Sequence, residues 1–321
     1  MRLTDAGRIL KTKEHDMNSP ALTEPKVDTA AYAPKSKPAL IKPAHAFAQP
    51  RDFLENRFVY LTISPRARGL SIGMNLNPDR KCNFDCVYCE VDRTQPIHDE
   101  TIDCDVAAIE LERALRLVHS GALRQLPPYT HVPEELLKLR HVALSGDGEP
   151  TISPKFLEVV ETVVHVRARG PFPFFKVVLI TNASGLDQAD VQTGLTLLTP
   201  RDEVWAKLDV GSQRYMDFIN RSTVPLEKIL DNILQLARKR PVIIQSLFCQ
   251  VGATVPSIGE IEEYAARLRD LKQRGAQIPL VQIYSASRPT PHSNVRHLPL
   301  RSLSEIAETV RRIAGLPAEP F

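Results

Sequence analysis

Three of the chain's five cysteines fall within eight residues: Cys82, Cys86 and Cys89, in the stretch KCNFDCVYC (81–89). The spacing is C-x3-C-x2-C, and the other two thiols, Cys104 and Cys249, stand apart from it. A structural zinc site closes with four ligands, usually as two C-x2-C or C-x2-H pairs. His98 and Cys104 are the nearest further ligands, and neither completes such a pair. A [4Fe–4S] cubane held by three thiolates keeps one iron without a protein ligand. That arrangement is incomplete for an electron carrier, yet suitable where the fourth iron must bind a substrate or cofactor. The cubane therefore fits better than zinc, with three buried structural thiols as the remaining reading. Crowded cysteines also make a poor disulfide framework, and in a cytosolic chain they speak for metal or redox work.

The thiols need a frame. Six apolar runs, at 69–76, 141–146, 176–182, 203–211, 242–252 and 280–287, read as strands. Several are apolar on successive residues, as expected of parallel strands covered on both faces. Amphipathic stretches at 103–119, 154–168, 187–198, 225–239, 258–273 and 302–314 read as helices. In PLEKILDNILQLARK (225–239), Leu226, Ile229, Leu230, Ile233 and Ala237 share one face, behind Pro225 and before a basic end. The alternation predicts an α/β fold, either an open doubly wound sheet or a barrel, complete or partial. In both, function gathers at the C-terminal ends of the strands. Here those ends read as the cysteine segment, SGDGEPT (145–151), TNAS (181–184), KLDVGS (207–212), FCQVG (248–252) and YSASRPTP (284–291). Together they predict a polar rim over an apolar core.

The C-x3-C-x-aromatic-C motif, with Tyr88 as the aromatic, follows the first strand of this β/α chain and resembles the signature of the radical S-adenosylmethionine (radical SAM) enzymes. SGDGEP after the second strand resembles that superfamily's glycine-rich, Gly-Glu-containing segment. Within the superfamily, NPDRKCNFDCVYCEVDR, SGDGEPT, ITNAS, VWAKLDVGS and QIYSASRP are most similar to the branch of wyosine-tRNA synthases and their bacterial relatives. The resemblance implies a partial (β/α)6 TIM-type barrel over residues 51 to 300, with a C-terminal helix and tail at 301–321. It implies that Cys82, Cys86 and Cys89 hold a [4Fe–4S] cluster whose open iron is chelated by S-adenosylmethionine. One electron would then cleave the sulfonium C–S bond, and the resulting 5′-deoxyadenosyl radical would take a hydrogen from substrate. The cofactors carry that chemistry, while the protein orients them and excludes water.

The same resemblance distributes roles. Tyr88 would pack near the adenine, and Gly146, Asp147, Gly148 and Glu149 would bring backbone carbonyls to the methionine ammonium. Glu149 would add an ionic acceptor or anchor its own loop. Thr181 and Asn182, and Lys207 and Asp209, are polar groups within or ending apolar strands, where burial demands partners. The last two would bind the cofactor carboxylate and ribose, or pair with each other. Gln250 and Tyr284 are further candidates. Cys249 is a hydrogen-atom donor or a small hydrophobe, and Cys104, opening a helix, is structural.

Charge narrows the partners. Of 41 basic and 38 acidic residues, residues 1–50 hold eight and five, so the rest of the chain is balanced. A globally basic nucleic-acid-binding body is not indicated. Arg201, Lys207, Arg214 and Arg221 are interleaved with acids, the pattern of a solvated face. Residues 1–50, with prolines at 20, 25, 34, 38, 43 and 50, read as a disordered tail. No run approaches a membrane span and no secretory h-region is seen, so a cytoplasmic protein without membrane contact is expected. Wyosine-tRNA synthases carry further cysteines upstream for a second cluster; here the first 81 residues contain none, so their base-forming reaction is not expected. The expected partners are a low-potential electron donor of flavodoxin or ferredoxin type and a substrate that is RNA or protein. Two other functions are consistent with the residues. One is iron–sulfur electron transfer; the other is activation of a protein partner, with the tail as docking arm.

Overall fold

The computed structural model describes residues 53–286, 290–291 and 294–321. The expected tail at 1–50 lies outside them, as does part of YSASRPTP. A hairpin opens the fold: β1 (Val59–Ser64) pairs antiparallel with β2 (Gly69–Asn75), from Val59 opposite Met74 to Ser64 opposite Gly69. The cysteine segment follows as an irregular loop leading into α1 (Cys104–His119), which Asp103 caps by accepting from the Asp105 and Val106 N–H groups. After the short α2 (Glu134–Leu137), strands and helices alternate through β3 (Leu139–Ser145), α3 (Phe156–Arg169), β4 (Val177–Thr181), α4 (Ala189–Thr196) and β5 (Glu203–Lys207). They continue through α5 (Gln213–Ile219), α6 (Leu226–Ala237), β6 (Val242–Leu247), β7 (Cys249–Val251), α7 (Ile258–Gln273) and β8 (Val281–Tyr284). The chain ends with β9 (Val295–His297), α8 (Leu300–Ala314) and β10 (Ala318–Pro320).

Eight strands form one sheet in the order β1-β2-β3-β4-β5-β6-β8-β10, parallel except for β1, and the sheet curls into a half-barrel. The six expected strands are all present as β2 to β6 and β8. The sheet gains one strand at each edge. β1 is a strand because the turn at 65–68 brings VYLTIS back onto β2; β10 is three residues long and carries Pro320 at the sheet edge, where a missing donor is tolerated. The run expected at 242–252 breaks after Leu247, whose N–H is taken at 2.8 Å by the Asp209 side chain; β7 then turns away to pair with β9.

Alternation along the strands divides the sheet's two faces. Leu70, Ile72, Val142, Leu144, Leu179, Val204, Ile244 and Ile283 are fully buried beneath the helices. Their neighbours Ser71, His141, Ser145, Trp205 and Tyr284 instead line a cavity of about 340 Å³ on the concave side. The sequence reading expects both faces to be apolar; the structure keeps that for the helix-covered face and makes the lumen polar and aromatic. Among the described residues no helix is long and apolar enough to cross a membrane.

Candidate active site

The cysteine loop has no regular structure of its own, so its shape comes from the elements it touches. The end of α5 clamps its centre: Asp85 N–H donates to the Asn220 carbonyl (3.0 Å) and Val87 N–H to the Ile219 carbonyl (2.9 Å), one on each side of Cys86. Asn83 is held from the end of β4, accepting from Asn182 Nδ2 (2.9 Å) and donating to Ser184 Oγ (2.8 Å). From the end of β3, Glu149 N–H donates to the Lys81 carbonyl at 3.1 Å.

Close packing of this segment on its neighbours explains the two glycines of SGDGE. A Cβ on Gly148 would stand 2.0 Å from the Lys81 carbonyl oxygen. Gly146 has φ +154°, and a Cβ there would meet Asn75 Oδ1 at 2.1 Å. Only residues without a side chain let this loop lie against Lys81 of the cysteine loop at Gly148 and against Asn75, the last residue of β2, at Gly146.

Cys82, Cys86 and Cys89 line one cavity of about 230 Å³ at the C-terminal ends of the strands. The same cavity is walled by Tyr88, Gly146, Gly148 and Glu149, and by Thr181, Asn182, Lys207 and Tyr284. Burial pushes the Cys82 thiol up to about 12 and the Cys86 thiol up to about 11. N–H groups nevertheless face both sulfurs: Phe84 N lies 3.4 Å from Cys82 Sγ, and Asn220 Nδ2 lies 3.5 Å from Cys86 Sγ. Among the described residues, no three His, Cys, Asp or Glu side chains gather as ligands of a single metal ion. The three sulfurs share a cavity wall rather than one centre.

Of the other residues singled out in the sequence, Glu149 is a loop anchor. Its buried carboxylate accepts from Thr151 N (3.0 Å), Thr151 Oγ1 (2.6 Å), Thr181 Oγ1 and Asn182 N (2.6 Å). Burial pushes its pKa up against the pull of these donors. Lys207 Nζ donates to Tyr284 Oη at 3.1 Å and lies 4.8 Å from the centre of the Tyr88 ring. Burial alone would depress this ammonium, but Asp209, with Tyr284 and Cys86, holds it above the ordinary lysine value.

Lys207 and Asp209 are not ion-paired; Tyr88 stands between them. Asp209 lies behind the cavity wall, accepting from the Tyr88 hydroxyl, from Asn220 Nδ2 (2.9 Å) and from Leu247 N (2.8 Å). Direct contact of Asp209 with a ribose is thus not what its position offers. Asp147 also turns away from the cavity, accepting from Asn75 Nδ2 at 2.8 Å. Gln250 sits in β7 and bonds the Gly252 carbonyl (2.7 Å), outside the cavity. Cys249 is buried, its thiol pushed up to about 12 by burial; Cys104 is buried at the start of α1.

Three contributors are absent from the sequence reading. Asn83 lies inside the motif and braces it, but nothing in its type distinguishes it from a filler position. Asn220 follows a short helix that has no strong periodicity. Arg66, in the β1–β2 turn, reaches into the lumen and stacks on Tyr284 at 3.9 Å.

The arrangement is a half-barrel with three thiols at the mouth of its lumen, and solved structures of the same architecture are radical SAM enzymes. A radical SAM methyltransferase from Sphaerobacter thermophilus matches with a TM-score of 0.58 at 14% identity, over 82% of this chain and 68% of that one. SuiB of Streptococcus suis, bound to its precursor peptide SuiA, matches at 0.53 and 15% identity, over 78% of this chain and 48% of that one. TYW1 with a lysine-pyruvate adduct bound matches at 0.51 and 14% identity, over 79% of this chain and 84% of that one. The fold is therefore the radical SAM partial barrel, as the motif resemblance implies.

In sequence, the chain is similar to proteins known as UPF0026. The one from Helicobacter pylori is 25% identical over 187 residues, 56% of this chain and 52% of that protein. The one from Synechocystis is 25% identical over 178 residues, 54% of this chain and 57% of that protein. The chain thus spans about half the length of the curated relatives it matches. No protein-family model matches it.

Proposed function

We propose that the protein is a radical SAM enzyme in which Cys82, Cys86 and Cys89 hold a [4Fe–4S] cluster and S-adenosylmethionine binds beside it. The observation that carries this reading is that all three thiols line one cavity with Tyr88, Gly146, Gly148, Thr181, Asn182 and Lys207. The donor set suits the group. Thiols that burial keeps protonated need a cationic partner before they ionise, and N–H groups already face two of the sulfurs. Bound together, cluster and cofactor supply one-electron cleavage of the sulfonium C–S bond and hydrogen abstraction from substrate.

The chain's own residues bind and orient. Lys207 offers its ammonium to the cofactor carboxylate, and the Tyr88 ring, fixed through its hydroxyl by Asp209, offers a face to the adenine. Gly146 and Gly148, which line the cavity, would present backbone to the methionine end. The lumen below receives the reacting part of the substrate: the two cavities share Arg66, Ser145, Ile180, Tyr284 and Ser285. Burial, with Lys176 and Arg66 near, pushes His141 down to about 3; the lumen, lined also by Ser71, Trp205, Tyr284 and the Arg66 guanidinium, suits a polar or aromatic group. Such a group is carried by an RNA base or by a side chain of a peptide; SuiB, of similar fold, is seen bound to a peptide. A flavodoxin- or ferredoxin-type donor would deliver the electron, in the cytoplasm.

The test is anaerobic reconstitution with iron and sulfide, then dithionite and S-adenosylmethionine, with 5′-deoxyadenosine as readout. The expected result is product from the wild type and none from Cys86→Ala. A cluster that assembles but shows neither product nor an S-adenosylmethionine-induced change in its EPR signal would leave iron–sulfur electron transfer as the function.

A further inference from the structure

The Cys86 sulfur has a buried neighbour that the proposed chemistry leaves without a task. Asn220 is 2% exposed and directly follows α5. Its Nδ2 lies 3.5 Å from Cys86 Sγ, 3.0 Å from Tyr88 Oη and 2.9 Å from Asp209 Oδ2. Asp209 also accepts from the Tyr88 hydroxyl and from Leu247 N, so the acceptor that orients the amide is itself fixed. The Asn220 carbonyl and its neighbour Ile219 hold the backbone on both sides of Cys86. One residue therefore bonds the loop through its backbone and faces the sulfur through its side chain.

We infer that Asn220 is the positioning residue for the cluster, holding the Cys86 thiolate in place and setting the reduction potential through an N–H···S hydrogen bond. The inference rests on the cluster reading given above. Its physical basis is that reduction adds negative charge to the iron–sulfur unit and its thiolates. A donor aimed at a thiolate stabilises that charge, so it raises the potential; removing the donor lowers it. The surroundings of the bond favour a sizeable effect, since Asn220, Tyr88 and Asp209 are buried and Cys86 is half-buried against them. A leucine or alanine would keep the backbone bonds and lose the donor, which separates the two duties of this residue.

The measurement is an EPR-monitored redox titration of the anaerobically reconstituted full chain, with iron and sulfide content and thermal melting taken alongside. Asn220→Leu removes the donor while keeping the branched four-atom outline of the side chain, and Asn220→Ala serves where leucine does not fit. The expected outcome is a full cluster in the variants with a midpoint shifted to more negative potential. Loss of the cluster from both variants at unchanged melting temperature also supports the positioning role. Full clusters with a wild-type midpoint, or a midpoint shifted upward, overturn the inference. So does loss of the cluster together with a lowered melting temperature, which would make Asn220 a packing residue only. A wild-type chain that assembles no cluster removes the proposed function, and this inference with it; unshifted variants remove this inference alone.

Discussion

The carboxylate of Glu149 accepts a 2.6 Å hydrogen bond from the N–H of Asn182, joining the end of β3 to the end of β4 directly beneath the cysteine loop. Thr181 and Thr151 fill the other oxygen, so the carboxylate has become part of the backbone scaffold of the site.

Truncating that anchor should cost stability rather than chemistry alone. Glu149→Ala leaves buried donors at Asn182, Thr151 and Thr181 without an acceptor, at about 1–3 kcal/mol for each unsatisfied group less what water recovers. A loss of roughly 3 kcal/mol in urea unfolding is expected. A midpoint indistinguishable from wild type would show that the loop holds without it.

Lys207 should matter to cofactor binding and little to the fold. The ammonium is fixed by Tyr284 and by the Tyr88 ring, so it is in place before the ligand arrives. A charge-assisted bond to a carboxylate contributes about 1.5–3 kcal/mol, on the order of a 10–100-fold change in affinity. Lys207→Met should weaken S-adenosylmethionine binding by that factor at equal iron content, measured by equilibrium dialysis. Unchanged affinity would place the carboxylate elsewhere.

His141 predicts a pH dependence. Its ring packs edge-on against Trp205 at 5.2 Å, and burial holds it near 3 against an unfolded value of 6.5. The unfolded chain therefore binds a proton that the folded chain refuses, and stability falls as pH drops below 6.5. By linkage the loss reaches about 2 kcal/mol at pH 5 and continues until pH approaches the folded value. His141→Gln should flatten the wild-type decline between pH 7.5 and pH 5 in urea unfolding. Parallel curves for the two proteins would mean that the lumen admits the charged ring.

Fold and thiol site were legible to different degrees. The parallel strands β2 to β6 and β8 show as apolar runs because their helix-covered face is fully buried and apolar residues such as Ala143 and Ile180 also stand on the lumen side. The edge strands β1 and β10 do not show: one depends on a hairpin turn in which Arg68 takes a positive φ, the other is only three residues long. The thiols were legible because three ligands at short spacing need no distant element to bring them together. Their bracing was not, since Asn182 and Asn220 reach the cysteine loop only when the ends of β4 and α5 converge on it.

By itself, the sequence determined which groups are available: three thiols with no fourth beside them, two glycines in SGDGE, and a lysine and an aspartate two residues apart on one strand end. Tertiary structure alone decided what each faces. It turned Asp147 and Asp209 away from the cavity, took both oxygens of Glu149 for anchoring, and set Tyr88 between Lys207 and Asp209. The reason is geometric. Spacing along a chain sets which residues are near in sequence, but the hydrogen bonds a buried polar group must make are chosen among whatever the folded sheet brings within about 3 Å.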